Sequence, residues 1–312
     1  MAIKDNFTFP SRDGANSCYA YSWAPEDGKI KAVFQIIHGM QEHMERYDAF
    51  ATFLADRGFL VVGEDHIGHG RTISNDKDLS YMTGEHADIV LVRNAHRLKK
   101  ITQENNPGIP YFILGHSMGS FIMRKYLTMY GKGINGAIIM STAIKPAIVT
   151  RTGIIFSSLK AFAKSGYSTS KFLEKCISGS NNKRIKNPST DFDWLTSDKD
   201  IVNKYIEDPL CGYPFTVNAY KALFKLLNYV CKTRNLKTIP KNLPILVVCG
   251  DADPVGNYGK APRRVFSQYQ KLGIEDVTLK TYENMRHEIL NETDRAKVYE
   301  DILAWVENHI SE

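Results

Sequence analysis

Long apolar runs are the first thing this 312-residue chain lacks. No stretch approaches the roughly 20 consecutive apolar residues that cross a bilayer. The opening Met1 to Asn6 has no basic region leading into an apolar stretch, so no leader is read there. The expectation is a soluble, cytoplasmic protein. Cysteine is scarce as well. Cys18, Cys176, Cys211, Cys231 and Cys249 are odd in number, scattered, and show neither C-x-x-C nor a metal-ligand spacing. This excludes a disulfide framework and a cysteine-built zinc module as the organising principle, and reduced thiols are expected. What is present is apolar material for a large core, 43% of the residues, which excludes disorder.

Charge is uneven along the chain. The net charge is +6, but Lys145 to Pro240 holds 16 Lys or Arg against 7 Asp or Glu, a balance of +9, so the remainder carries −3. This basic segment has no ordered nucleic-acid motif, and no nucleic-acid partner is expected. Its cations alternate with apolar residues on helical patterns. They read as solvated helix faces or, more sharply, as a surface attracted to anionic lipid.

The first part of the chain alternates short apolar runs with helical spacing. Cys18 to Trp23, Ala32 to Ile37, Phe59 to Gly63, Tyr111 to Leu114 and Gly136 to Met140 read as strands, too short for helices and continuous enough for burial on both faces. Met44 to Arg57, His86 to Gln103 and Met118 to Tyr130 read as helices; Tyr47, Phe50, Phe53 and Leu54, for example, share one face. After Lys145 the rhythm becomes helical or irregular until about Asn235. It then resumes with strand Pro244 to Cys249, helix Ala261 to Leu272, strand Val277 to Tyr282 and helix Arg295 to His309. The expectation is an α/β fold with a mostly parallel central sheet flanked by helices. It is divided into a core at 1–144, a mainly helical insertion at 145–240, and the rest of the core at 241–312.

Gly115-His116-Ser117-Met118-Gly119 carries the chemistry. A serine between two glycines at a strand-to-helix junction reads as a nucleophile elbow, because the tight turn exposes the hydroxyl and demands small neighbours. A serine hydroxyl needs a base, and the base needs a carboxylate to fix its tautomer. His287 follows strand Val277 to Tyr282, and Asp253 follows strand Pro244 to Cys249 within Gly250-Asp251-Ala252-Asp253-Pro254. The order Ser117, Asp253, His287 is that of an α/β-hydrolase. Asp251 competes as the carboxylate; its alternative role is to brace the strand-end turn, while Pro254 fixes the chain beside Asp253.

The expected oxyanion donors are the backbone N–H groups of Met40, in the loop His38 to His43, and of Met118. His38, His66 and His69 read as turn braces, and His116 as the variable elbow residue. Asp65-His66-Ile67-Gly68-His69 lacks a third ligand at a suitable spacing. Neither a metal nor a cofactor is expected.

With these residues placed, the sequence resembles the monoglyceride lipase and lysophospholipase group of α/β-hydrolases, the serine aminopeptidase-like enzymes. The resemblance rests on His38-Gly39-Met40-Gln41-Glu42-His43 with Arg46-Tyr47, on Asp65-His66-Ile67-Gly68-His69-Gly70, and on the elbow. It extends to the Asp253 and His287 segments and, in the insertion, to Phe192-Asp193-Trp194-Leu195 and Asp208-Pro209-Leu210-Cys211-Gly212. Asp253, the aspartate before Pro254, aligns with the catalytic acid. Thr72 stands where serine is common, and Ser120 where many relatives have a second glycine.

The resemblance implies a cofactor-free carboxylester hydrolase of monoacylglycerols, lysophospholipids or related small esters. Amide or peptide hydrolysis, or acyl transfer, by the same three residues is the alternative, and a binding protein on a hydrolase fold is a third. The insertion would cap the acyl pocket. Ile155, Leu159, Phe162 and Ala163 form one apolar stripe, and Tyr220, Leu223, Phe224 and Leu227 a second. These stripes either pack on the core and each other or line an acyl channel; Ile155, Leu159, Phe162 and Leu223 are the candidate substrate contacts.

Overall fold

A computed structural model describes residues 2–82 and 84–310. Its strands are β1 (Ile3–Pro10), β2 (Ser17–Ala24), β3 (Ala32–Ile37), β4 (Phe59–Glu64), β5 (Tyr111–His116), β6 (Gly136–Met140), β7 (Ile245–Gly250) and β8 (Val277–Tyr282). They form one sheet in the order β1-β2-β4-β3-β5-β6-β7-β8. From β4 to β8 all neighbours are parallel, while β1 and β2 are antiparallel additions at one edge. β1 gives little signal in the sequence because its residues are mostly exposed and its first half carries the polar run Lys4, Asp5 and Asn6.

The helices α1 (Asp48–Ala55), α2 (Ala87–Asn105), α3 (Met118–Tyr130), α8 (Lys260–Lys271) and α9 (Arg295–Asn308) alternate with these strands. Alternate side chains of each strand point to opposite faces, which makes two cores. Val33, Ile113, Ile139 and Val247 pack with Leu91, Ile122 and Val265 on one side. Phe34, Phe112, Ile138 and Leu246 pack with Phe50, Leu54 and Ile302 on the other. The continuous apolar runs of β3, β5 and β7 follow directly, since a strand covered on both faces has no polar side to show.

Between β6 and β7 lie α4 (Ala147–Lys164), α5 (Lys171–Ile177), α6 (Lys199–Glu207) and α7 (Val217–Val230). α7 is buried along Tyr220, Leu223, Phe224 and Leu227. α4 departs from expectation. Its buried residues are Thr150, Gly153 and Ser157, not the bulky stripe. At Gly153 an added Cβ would stand 2.7 Å from the Phe224 ring. Small residues on that face therefore let α4 sit close against α7, and Ile155, Leu159 and Phe162 are turned outward.

Register places the functional ends together. Ile37 of β3 pairs with Gly115 of β5, His116 with Met140 of β6, and Gly250 of β7 with Tyr282 of β8. The loops after β3, β5, β6, β7 and β8 thus emerge along one carboxyl edge, where open parallel sheets bind ligands.

Candidate active site

Ser117 is the turn between β5 and α3. Its φ of 51° lies in the left-handed region, a strained conformation for a residue with a side chain. The strain is held by packing that only glycine permits: a Cβ on Gly119 would be 2.0 Å from the Ile37 carbonyl oxygen, and one on Gly115 2.5 Å from that of Gly119. Ser120, the departure noted above, donates its hydroxyl to the Ser117 carbonyl (2.6 Å) and locks the same turn.

The Ser117 hydroxyl donates to His287 Nε2 (2.9 Å), and His287 Nδ1–H donates to Asp253 Oδ1 (3.0 Å). His287 and Asp253 are buried, while Ser117 is partly open. Burial opposes protonation of the imidazole, but the adjacent Asp253 carboxylate outweighs it, so His287 is more basic than an ordinary histidine. Asp253 also accepts from the Val255 N–H (2.9 Å). Asp251 is elsewhere: it accepts the Asn284 N–H (2.7 Å), bracing the loop that leads to His287.

Met40 and Met118 border the serine. Together with Ser117, Phe121, Leu223, Leu227 and Trp194 they line a cavity of about 110 Å³. It adjoins a second cavity of about 280 Å³ between α4, α5 and α7, and the two share Lys145, Cys176 and Ile177. Leu223 is therefore at the site. Ile155, Leu159 and Phe162 line neither cavity; their exposures of 58%, 63% and 95% put them in solvent. The face of α4 that borders the second cavity is Val149, Gly153 and Phe156, and the close fit of Gly153 on Phe224 is the physical cause.

Several residues around the site carried no assigned role in the sequence. Arg46 makes a buried fork to Glu288 (2.7 and 2.6 Å) and bonds Glu42 (2.7 Å). Glu42 in turn accepts from the Gly39 N–H and the Tyr47 hydroxyl, and lies 3.1 Å from His116 Nδ1. Burial would raise the Glu42 pKa, but His116 and Arg46 hold it well below the usual carboxylate range. One ionic group thus joins the loop after β3, the elbow and the residue next to His287. Ser141, at φ 50°, donates its hydroxyl to the His287 carbonyl (2.6 Å). From the segment before α6, Trp194 lies 5.2 Å from the His287 ring, and the Glu288 N–H donates to Leu195 O (2.7 Å). Glu42, Arg46 and Tyr47 had a signal, their place in the first motif; Ser141 had none.

His38, His66 and His69 brace loops. His66 N–H donates to His38 Nε2 (3.0 Å), His66 Nε2 lies 3.1 Å from His38 O, and His69 Nδ1 lies 3.1 Å from Ile67 O. Burial, then the neighbouring imidazole of His69, lowers His66 to about 3; burial also lowers His69, to about 4. Both are neutral. Asp65 receives the N–H groups of Met44 and Arg71 (2.8 Å each), and a Cβ on Gly70 would collide with it at 2.1 Å. Thr72 substitutes fully for a serine here, donating to Asp65 O (2.7 Å) and accepting from Tyr19 N–H (2.8 Å).

An eight-stranded, mostly parallel sheet with a serine at the strand-to-helix turn and its histidine and aspartate on later strand-end loops defines an α/β-hydrolase. The profile of the serine aminopeptidase S33 family matches residues 28–294, and the chain belongs to that family. It is similar to the monoacylglycerol lipase of Mycolicibacterium smegmatis, 29% identical over 292 residues covering 92% of each chain. It is equally similar to the monoglyceride lipase homolog of monkeypox virus, 29% over 297 residues covering 94% of this chain and 95% of that one. Among solved structures, a highly thermostable carboxyl esterase from Bacillus coagulans, in complex with glycerol, superposes with a TM-score of 0.92. It is 29% identical over 99% of this chain and 100% of its own. Among the described residues, no helix is long and apolar enough to cross a membrane.

Proposed function

We propose that the protein hydrolyses carboxylic esters of single-chain lipids, monoacylglycerols or lysophospholipids, through an acyl-enzyme on Ser117. The observation that carries this reading is the bonded sequence Ser117, His287, Asp253 opening onto a mainly apolar cavity. Ser117 attacks the ester carbonyl while His287 takes its proton, and Asp253 orients the imidazole and stabilises its charge. The Met40 and Met118 N–H groups receive the oxyanion. The alcohol leaves with the proton from His287. Water, activated by the same histidine, then releases the fatty acid and frees the serine.

Residues 145–240 serve as the cap, and the cavity between α4, α5 and α7 takes the acyl chain. Aminopeptidase chemistry, which the family description names, would need an acidic anchor for the substrate ammonium. Among the described residues lining the two cavities there is no carboxylate, and the charged one is Lys145. The relatives named monoacylglycerol and monoglyceride lipase agree with ester hydrolysis.

A peripheral contact with anionic membrane belongs to the same reading. Ile148, Ile155, Leu159 and Phe162 of α4 and Phe172 of α5 are more than half exposed, with Arg151, Lys160, Lys164 and Lys171 among them. Apolar side chains ringed by cations suit a surface of anionic headgroups. A cytoplasmic location accords with the five free cysteines.

Ser117→Ala tests the chemistry. It is expected to abolish labelling by a fluorophosphonate and to lower kcat on a monoacylglycerol by on the order of 10⁶. Persistent labelling overturns the assignment. Hydrolysis of aminoacyl amides in preference to lipid esters by the unmodified protein overturns the substrate class.

A further inference from the structure

We propose that His43, Asp208 and Cys211 form a binding site for one divalent cation of zinc-like chemistry. Each offers one ligand atom, and the three atoms lie within 4.8 Å of one another. The His43 Nε2 to Asp208 Oδ2 distance is 2.8 Å. Ligands about 2.0–2.3 Å from a shared zinc stand roughly 3–4 Å apart, so small side-chain movements suffice. Imidazole, carboxylate and thiolate together are a donor set that zinc accepts, and three protein ligands leave a position for water. His43 and Cys211 are buried, while the Asp208 side chain is 30% exposed and opens the site to solvent.

The surrounding charge suits a cation. Arg46 lies near Cys211, but Glu42 and Glu288 neutralise it, and with Asp208 there are three carboxylates against one guanidinium. The proton balance is simple. In the metal-free state Nε2–H donates to Asp208 and Cys211 is a thiol. On binding, the imidazole proton moves from Nε2 to Nδ1, and the thiol proton passes to solvent. One proton is released for each cation.

The site joins two parts of the chain. His43 is three residues beyond Met40, and Asp208 and Cys211 follow α6. Hydrogen bonds from Gly212 N–H (3.1 Å) and the Tyr205 hydroxyl (3.0 Å) already tie this region to Gln41 O. A cation would add a much stiffer link and raise thermal stability.

The test uses the full chain freed of metal by a chelator and titrated separately with Zn²⁺ and Co²⁺. The expected result is one cation per chain, a thiolate-to-Co²⁺ charge-transfer band, release of one proton, and a higher Tm with Zn²⁺. Cys211→Ala and Asp208→Asn should each weaken Zn²⁺ binding more than about 10-fold, with folding verified by circular dichroism. Cys176→Ser should keep the band. The charge-transfer band of the unsubstituted protein reads thiolate ligation even if one variant fails to fold. Absence of binding overturns the proposal. So does binding that survives Cys211→Ala but disappears in His287→Ala, which would place the cation at the hydrolytic site.

Discussion

Asp253 and His287 are separated by 34 residues in the chain and joined by one hydrogen bond in the fold. In the proposed mechanism that bond sets the pH behaviour of hydrolysis. Because the carboxylate makes His287 more basic than usual, the neutral base is available only above an apparent pKa raised from 6.5. Activity should therefore rise with pH through a limb displaced upward. In Asp253→Asn the largest raising influence is gone, leaving burial against the smaller pull of Glu288 and Glu42, so the limb should move to lower pH while kcat falls by about 10⁴. A kcat/KM profile against a soluble short-chain ester checks both. Pro254 and the family resemblance marked Asp253 in the sequence as the candidate acid, and in the fold it is Asp253 that meets His287. Its separation from Asp251 became physical only in the fold, where Asp251 is occupied by the Asn284 amide.

At the scale of the element, α4 is the informative case. A stripe of Ile155, Leu159 and Phe162 at helical spacing signals amphipathicity, but periodicity does not say which face of the helix turns inward. Thr150, Gly153 and Ser157 face inward because α7 brings the Phe224 ring against the Gly153 backbone. The outward stripe is then exposed, and it is the surface proposed to meet lipid. Phe162→Glu combined with Leu159→Glu should reduce binding to anionic vesicles more than about 10-fold and leave hydrolysis of a water-soluble ester within a factor of about 2, since neither residue borders the cavities. Co-sedimentation with vesicles at increasing salt measures this. Binding that is unaffected by either the substitutions or salt would refute the lipid contact. β1 makes the complementary point: a mostly exposed edge strand can form by pairing with β2 while offering little pattern of its own.

Over the whole molecule, the ionic group of Glu42, Arg46 and Glu288, with His116 against Glu42, connects three segments that the sheet delivers from different places. Arg46→Met would leave two carboxylates buried without their cation, a loss of about 3–5 kcal/mol. Thermal unfolding should report a substantially lower Tm, and Arg46→Lys should recover only part of it because an ammonium cannot reproduce the fork to Glu288. Unchanged stability in Arg46→Met would show the group to be incidental. By itself the sequence determined the layered α/β architecture, the elbow and the order of its partners, because burial on both strand faces and tight turns impose local patterns that survive in one dimension. Only the tertiary structure decided which face of α4 is hidden, that Trp194 and Leu195 reach the His287 loop, that Ser141 holds its carbonyl, and that His43 meets Asp208 and Cys211. Those contacts join residues far apart in the chain, and their geometry depends on strand register and helix packing, for which no local spacing stands as a substitute.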